Sequence, residues 1–207
     1  MRLENKKILK GFGAIMYVVN YRGPFGFIKP WTAVRDIETF SQQFLTPSIV
    51  AGIERKLFPD LLHEPYDLYK IKSHRLSYKQ ISHQQEQTQP RGWNKKNNRF
   101  CRPYAILVRG VLIEPDLYLG FDNEKDAIHA AKQHICLCRN EDILFPDGSI
   151  INITEEDFDS QEGPFNGFEL VFEQNDQSFL VGYNRFDEHK PMYGWLKIIG
   201  NPVKHIC

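Results

Sequence analysis

Residues 46–59 read TPSIVAGIERKLFP, and the fold follows from how this stretch is parsed. A Thr46 side chain can accept an orphan amide, and Pro47 at the first helical position loses no hydrogen bond. Ile49, Val50, Ile53 and Leu57 recur at helical spacing until Pro59 stops the run, which predicts a short, one-faced helix. Gly52 in its middle costs about 1 kcal/mol relative to Ala, and close packing of the helix against a sheet is the expected reason for it.

Upstream, KGFGAIMYVVNY (10–21) is β-branched and aromatic and ends at the turn signal Arg22-Gly23-Pro24, so it predicts a strand. Downstream, YDLYKIKSHRLSYKQ (66–80) alternates apolar with cationic or polar residues only approximately, and predicts a strand with one wet basic face that needs a bulge to bring Lys70, Lys72 and Arg75 together. HQQEQTQPRGWNKKNN (83–98) is polar and Gln-rich, with Pro90 and Gly92, and predicts a flexible loop or hairpin tip. Strand character returns over 100–121, divided by Glu114-Pro115-Asp116. Asn123 caps a second helix expected to reach about Cys138, buried through Ala127, Ile128, Ala131, Ile135 and Cys138. After a turn at Pro146-Asp147-Gly148, short apolar segments near 149–153, 168–172, 179–183 and 192–199 predict a mostly β tail.

The fold class expected from this order is α+β: a ferredoxin-like (RRM-type, split βαβ) domain over 1–154, with a basic β-hairpin inserted near 73–102. Residues 155–207 form a β-rich C-terminal extension. RNA-recognition modules of this architecture use a sheet face or a projecting hairpin, but strand order alone supports many functions.

Composition limits what these segments can do. The 207 residues suffice for one elaborated domain or two small ones. No apolar run approaches the roughly 18 residues of a membrane span, and MRLENKK lacks a signal-peptide core, so a cytoplasmic, soluble protein with no membrane partner is expected. Cys101, Cys136, Cys138 and Cys207 fit no paired CxxC pattern. His134 and Cys138 would share a helix face at i, i+4, yet two further ligands are lacking; reduced thiols and no metal are expected. The acidic run Glu155-Glu156-Asp157 with Asp159 reads as a solvated loop. No nucleophile elbow, P-loop or dinucleotide fingerprint is present, and no cofactor is expected.

Charge is unevenly spread. Residues 70–102 hold nine cations against the single acid Glu86, whereas 111–189 hold four Lys and Arg against eighteen acids. A polyanion-facing side and an opposed acidic side follow.

The segment FGFIKPWTAVRDIETFSQQFLTPSIVAGI resembles CRISPR Cas-five proteins, in which a first strand leads through an aromatic, Pro-containing loop to a helix opening as TPSAxxGI. The signature stands here as Thr46, Pro47, Ser48, Gly52 and Ile53, with Ile49 where the family usually has Ala. RFCRPYAILVRGVLIEPDLYLG resembles the family's central strand, and the similarity covers roughly 12–139. It implies a subunit of a type I effector complex (Cascade) that holds the 5′ end of the crRNA and kinks it with a projecting hairpin. Backbone and large subunits are the implied protein partners, and target DNA is a further one. Some relatives also cleave pre-crRNA with a Tyr, Lys and His set. The expected Tyr falls here among Gln42 and Gln43, and the expected Lys-His pair reads Lys125-Asp126. His129 and His134 are the nearest substitutes, so the reading favours a non-catalytic binding subunit over a metal-independent endoribonuclease.

RNA recognition calls for phosphate-neutralising cations and flat side chains that stack on splayed bases. Arg91, Lys95, Lys96 and Arg99 around Trp93 supply both, with Arg102 beside them; a merely solvated hairpin tip is the alternative. Lys29, Trp31 and Arg35 line the same expected surface, an ordinary core-covering loop being the alternative, and Lys70, Lys72 and Arg75 its basic strand. A protein-interaction adaptor working through the acidic tail is the remaining alternative.

Overall fold

The computed structural model describes residues 15–30, 38–65, 67–88, 92–102, 105–184 and 188–204. Its first strand, β1 (Ile15–Arg22), buries Val19 and Tyr21 on one face and Met16 and Val18 on the other, as a central strand covered on both sides must. The chain continues through β2 (Phe25–Gly26), β3 (Glu38–Phe40), α1 (Pro47–Leu57), β4 (Ile71–Ser77), β5 (Gln80–Thr88), β6 (Asn94–Lys96) and β7 (Arg99–Cys101). It then forms β8 (Ala105–Ile113), β9 (Asp116–Phe121), α2 (Glu124–Ala130), β10 (Ile135–Cys136), β11 (Ile143–Thr154), α3 (Glu155–Phe158), β12 (Gly167–Val171), β13 (Phe179–Asn184) and β14 (Lys190–Ile199).

The protein is α+β, mostly antiparallel sheet with few helices. One sheet runs β10-β11-β1-β9-β4-β12-β14-β13, so the strands after residue 154 add to its β4 edge. A second sheet runs β2-β8-β3 with β5 also paired to β8, and β6 and β7 form a small ribbon. The main core joins Val50, Ile53 and Leu57 of α1 and Ala127 and Ala130 of α2 to Val19, Tyr21, Leu76, Leu117, Leu119 and Phe121 of the sheet.

Helix α1 begins where the TPS step places it, but its cap differs from the expected one. Thr46 is extended and its hydroxyl meets that of Ser48 at 2.9 Å instead of accepting an amide. A residue that periodicity alone would call polar ties the helix to the sheet. Glu54 is fully buried, and its carboxylate accepts the backbone amides of Tyr69, Lys70 and Ile71 at 2.6–3.1 Å, tying α1 to the start of β4. Gly52 is not the packing residue expected from the sequence. It is exposed, and a Cβ there would meet nothing within 4 Å, because Val50, Ala51, Ile53, Glu54 and Leu57 form the buried stripe. Gly52→Ala should therefore raise stability by about 1 kcal/mol, measured as a higher urea midpoint at unchanged m.

Three local expectations yield to tertiary pairing. Helix α2 starts with Asn123 Oδ1 accepting from Lys125 N, but it ends at Ala130. His129 Nε2 and Gln133 Nε2 each lie 3.0 Å from Leu57 O, and Lys56 Nζ donates to His134 O, so α1 captures the end of α2. Ile135 and Cys136 then pair with β11 as β10, and His134 and Cys138 share no helix face. The Pro146-Asp147-Gly148 turn lies inside β11: Asp147 accepts from the amide and hydroxyl of Ser149, Gly148 takes φ +84°, and the β1–β11 register shifts there. Residues 80–88, read partly as flexible loop, form a full strand because β8 pairs with every one of them, from Gln80↔Ile113 to Thr88↔Ala105.

The middle of the main-sheet face away from α1 and α2 is covered by the chain itself. Phe158 and Phe165 pack on Met16 and Val18, with Tyr118, Ile151 and Ile153 around them.

Candidate nucleic-acid interface

β5 and β8 make a nine-residue ribbon, about 30 Å long, that continues β4 and β9 past an elbow and carries the β6–β7 tip. At the elbow, Glu114 takes φ +48° and Lys79 Nζ lies 2.8 Å from its carboxylate. Tyr78 N donates to Pro202 O at 3.0 Å, Lys204 N donates to Tyr78 O at 2.9 Å, and the Tyr78 hydroxyl bonds Gln43 Oε1 at 2.6 Å. The inner half of the ribbon is braced: β2 pairs with Leu112 and Ile113, and β3 pairs with Val108 to Gly110. Phe40 lies directly over Gly110, where a Cβ would stand 2.3 Å from its ring, so only glycine permits that contact. The buried Phe27 ring is flanked by the guanidinium groups of Arg109 and Arg139, at 5.9 and 5.3 Å.

The tip is set by its turn. Asn97 and Asn98 take φ +50° and +60°, the pair of left-handed residues that a two-residue hairpin requires. The register Lys96↔Arg99, Lys95↔Phe100 and Asn94↔Cys101 then gives the ribbon two different faces. One carries Lys95 and Phe100, and Trp93 and Arg102 extend it, with the Arg102 guanidinium 4.8 Å over the Trp93 ring. Trp93 and Phe100 line a shallow groove and are 58% and 67% exposed. The opposite face carries Lys96 and Arg99 with Asn94 and Cys101. All of these side chains are exposed, so the tip offers stacking and phosphate contacts together.

The expected RNA residues separate into distinct groups. Trp93, Lys95, Lys96, Arg99 and Arg102 lie together on the tip. Lys29 is exposed on the segment that braces β8; Trp31, Arg35 and Arg91 lie outside the described residues. On the expected basic strand face, the structure corrects Arg75. Arg75 is fully buried against Phe158 and paired with Glu169 and Asp159, so it presents nothing to a ligand. Burial pushes its pKa down to about 10 while Asp159 pulls it back up, so it stays charged at neutral pH. Its neighbour His74 is held neutral, pushed down to about 3 by burial and by the Arg75 charge. Lys70 bonds Asp126 at 2.9 Å and lies over Phe58, and Lys72 pairs with Asp122 at 3.0 Å. The register shift between Ile71 and Ser73 places Arg75 on the sheet face opposite Ile71, and that position is covered by Phe158 and by Glu169 of β12, so the side chain is buried where a wet face was expected.

Phe100 was missed by the sequence reading. The signal was present: KNNR is a two-residue hairpin turn, and pairing outward from it places Phe100 opposite Lys95. Among the described residues, no group of three or more His, Cys, Asp or Glu could hold a metal ion, and no helix is long and apolar enough to cross a membrane.

The sequence matches no protein-family model and no curated protein. A solved structure described as "Crystal structure of Cas protein" is similar to this chain with a TM-score of 0.42 and 12% identity, over 90% of this chain and 99% of that one. At that distance the likeness assigns neither family nor function.

Proposed function

We propose that this protein is a non-catalytic RNA-binding subunit of a CRISPR type I effector complex that holds the 5′ end of the crRNA with its arm. The observation that carries the reading is the exposed tip, where Trp93 and Phe100 stand among Lys95, Lys96, Arg99 and Arg102 at the end of a braced ribbon. Single-stranded RNA satisfies such a surface, because bases stack on the rings while phosphates meet the cations. Cover of the middle of the sheet face by Phe158 and Phe165 favours the arm as the main contact. The core is proposed as a ferredoxin-like split βαβ unit, supported by the neighbour order β11-β1-β9-β4 with α1 and α2 as connections. The TPS helix and the downstream basic stretch support placement among Cas-five-like subunits, with backbone and large subunits as neighbours.

Co-expression with adjacent genes tests this. The protein should co-purify with a discrete RNA of uniform 5′ end. Purification without RNA would overturn the reading, and site-specific cleavage of repeat RNA without metal would overturn its non-catalytic part.

A further inference from the structure

At the root of the arm, where β1 ends and β9 begins, Asp116 is 6% exposed and each of its oxygens takes a cation. Arg22 Nε lies 2.7 Å from one, and Lys204 Nζ pairs with the other. One buried carboxylate needs one cation for neutrality; the second leaves positive charge in excess at the surface. Both heads reach solvent, with side chains 61% and 47% exposed. The Tyr118 side chain hydrogen-bonds Arg22, and burial and the Asp116 charge raise its pKa, so the phenol stays protonated.

An exposed aromatic stands in the same place. Across β1 and β11 the partner of Arg22 is Phe145, so ring and guanidinium share a face of the sheet. Phe145 is 58% exposed and meets His134 at 6.0 Å between ring centroids. A bare ring beside surplus cations repeats, on a different sheet and with unrelated residues, the chemistry of the tip.

We infer that Phe145, Arg22 and Lys204 form a second nucleotide site, at the root of the arm. A base stacks on Phe145 and its phosphate sits between Arg22 and Lys204. This inference rests on the RNA-binding reading above and adds a contact separated from the tip by the length of the β5–β8 ribbon. Two sites on one strand give avidity beyond either alone.

Fluorescence anisotropy with a labelled, unstructured oligouridylate tests the root separately from the tip. Phe145→Ala should weaken binding about 10-fold, and Phe145→Trp should restore it, since every flat ring offers a stacking face. Arg22→Gln, which leaves Lys204 on Asp116, should lower the slope of log K against log salt by ~0.7. Wild-type affinity in Phe145→Ala with an unchanged slope in Arg22→Gln would overturn the root site and leave the tip reading standing. If wild-type protein binds no RNA, both fall. Because a loss in Phe145→Ala could reflect altered folding, wild-type protein is also photo-crosslinked to 4-thiouridine RNA. A crosslinked peptide spanning 143–149 is expected, and its absence overturns the site.

Discussion

Replacing Lys95, Lys96, Arg99 and Arg102 together by Ala should weaken single-stranded RNA binding on the order of 100-fold at low salt and reduce the salt slope by ~3. The slope is the sharper readout, because each cation that releases counterions from a phosphate contributes ~0.7 to it on a single strand. Folding should be unaffected: the four side chains are exposed, and none makes an ion pair among the described residues. Trp93→Ala separates the second component of the site. It removes a stacking surface without removing charge, so affinity should fall about 10-fold with the slope unchanged. Equal slopes for the quadruple variant and the wild type would mean that the tip meets no phosphate, and the proposed function would fail with it.

Arg75→Ala should have the largest effect on stability, about 3–5 kcal/mol, because it leaves the buried Glu169 carboxylate without its cation. The loss reaches further than one pair. Arg75 joins β4 to Glu169 on β12 and to Asp159 beside α3, and Asp159 in turn takes Lys197 of β14. The direct β-pairing between β4 and β12 is limited to Phe168↔Leu76, so this network is a principal tie between the core strands and the C-terminal strands. Urea unfolding should show a lower midpoint with earlier exposure of the aromatic residues on β12–β14. In Arg75→Met/Glu169→Leu, with both buried charges removed, much of the stability should return. A variant of Arg75 with wild-type stability and weakened RNA binding would instead restore it to the ligand surface.

The two outcomes illustrate what could be read from the chain. Lys95 and Arg75 are both cations in strands of alternating character, and nothing local distinguishes them. The difference lies in their partners: Lys95 pairs across a two-residue turn, so its surroundings are set within six residues, whereas Glu169 lies 94 residues away from Arg75. Glu54 illustrates the same limit. Its position on α1 was legible, but its role depends on the turn after residue 66 bringing three amides to one carboxylate. The root cluster drew no attention in the sequence because Arg22, Asp116, Phe145 and Lys204 come from four separate segments.

By itself the sequence determined the existence and order of the main elements. Period and turn chemistry are local, and β1, α1, β9 and the start of α2 follow from them. It also determined that cations and an aromatic would meet near residue 95. Only the tertiary structure decided where α2 stops, that the Gln-rich segment becomes a strand, and that the C-terminal strands extend the main sheet and bury Arg75. In each of these cases the deciding free energy is a hydrogen bond, ion pair or packed surface supplied by a distant segment, and no local pattern encodes it.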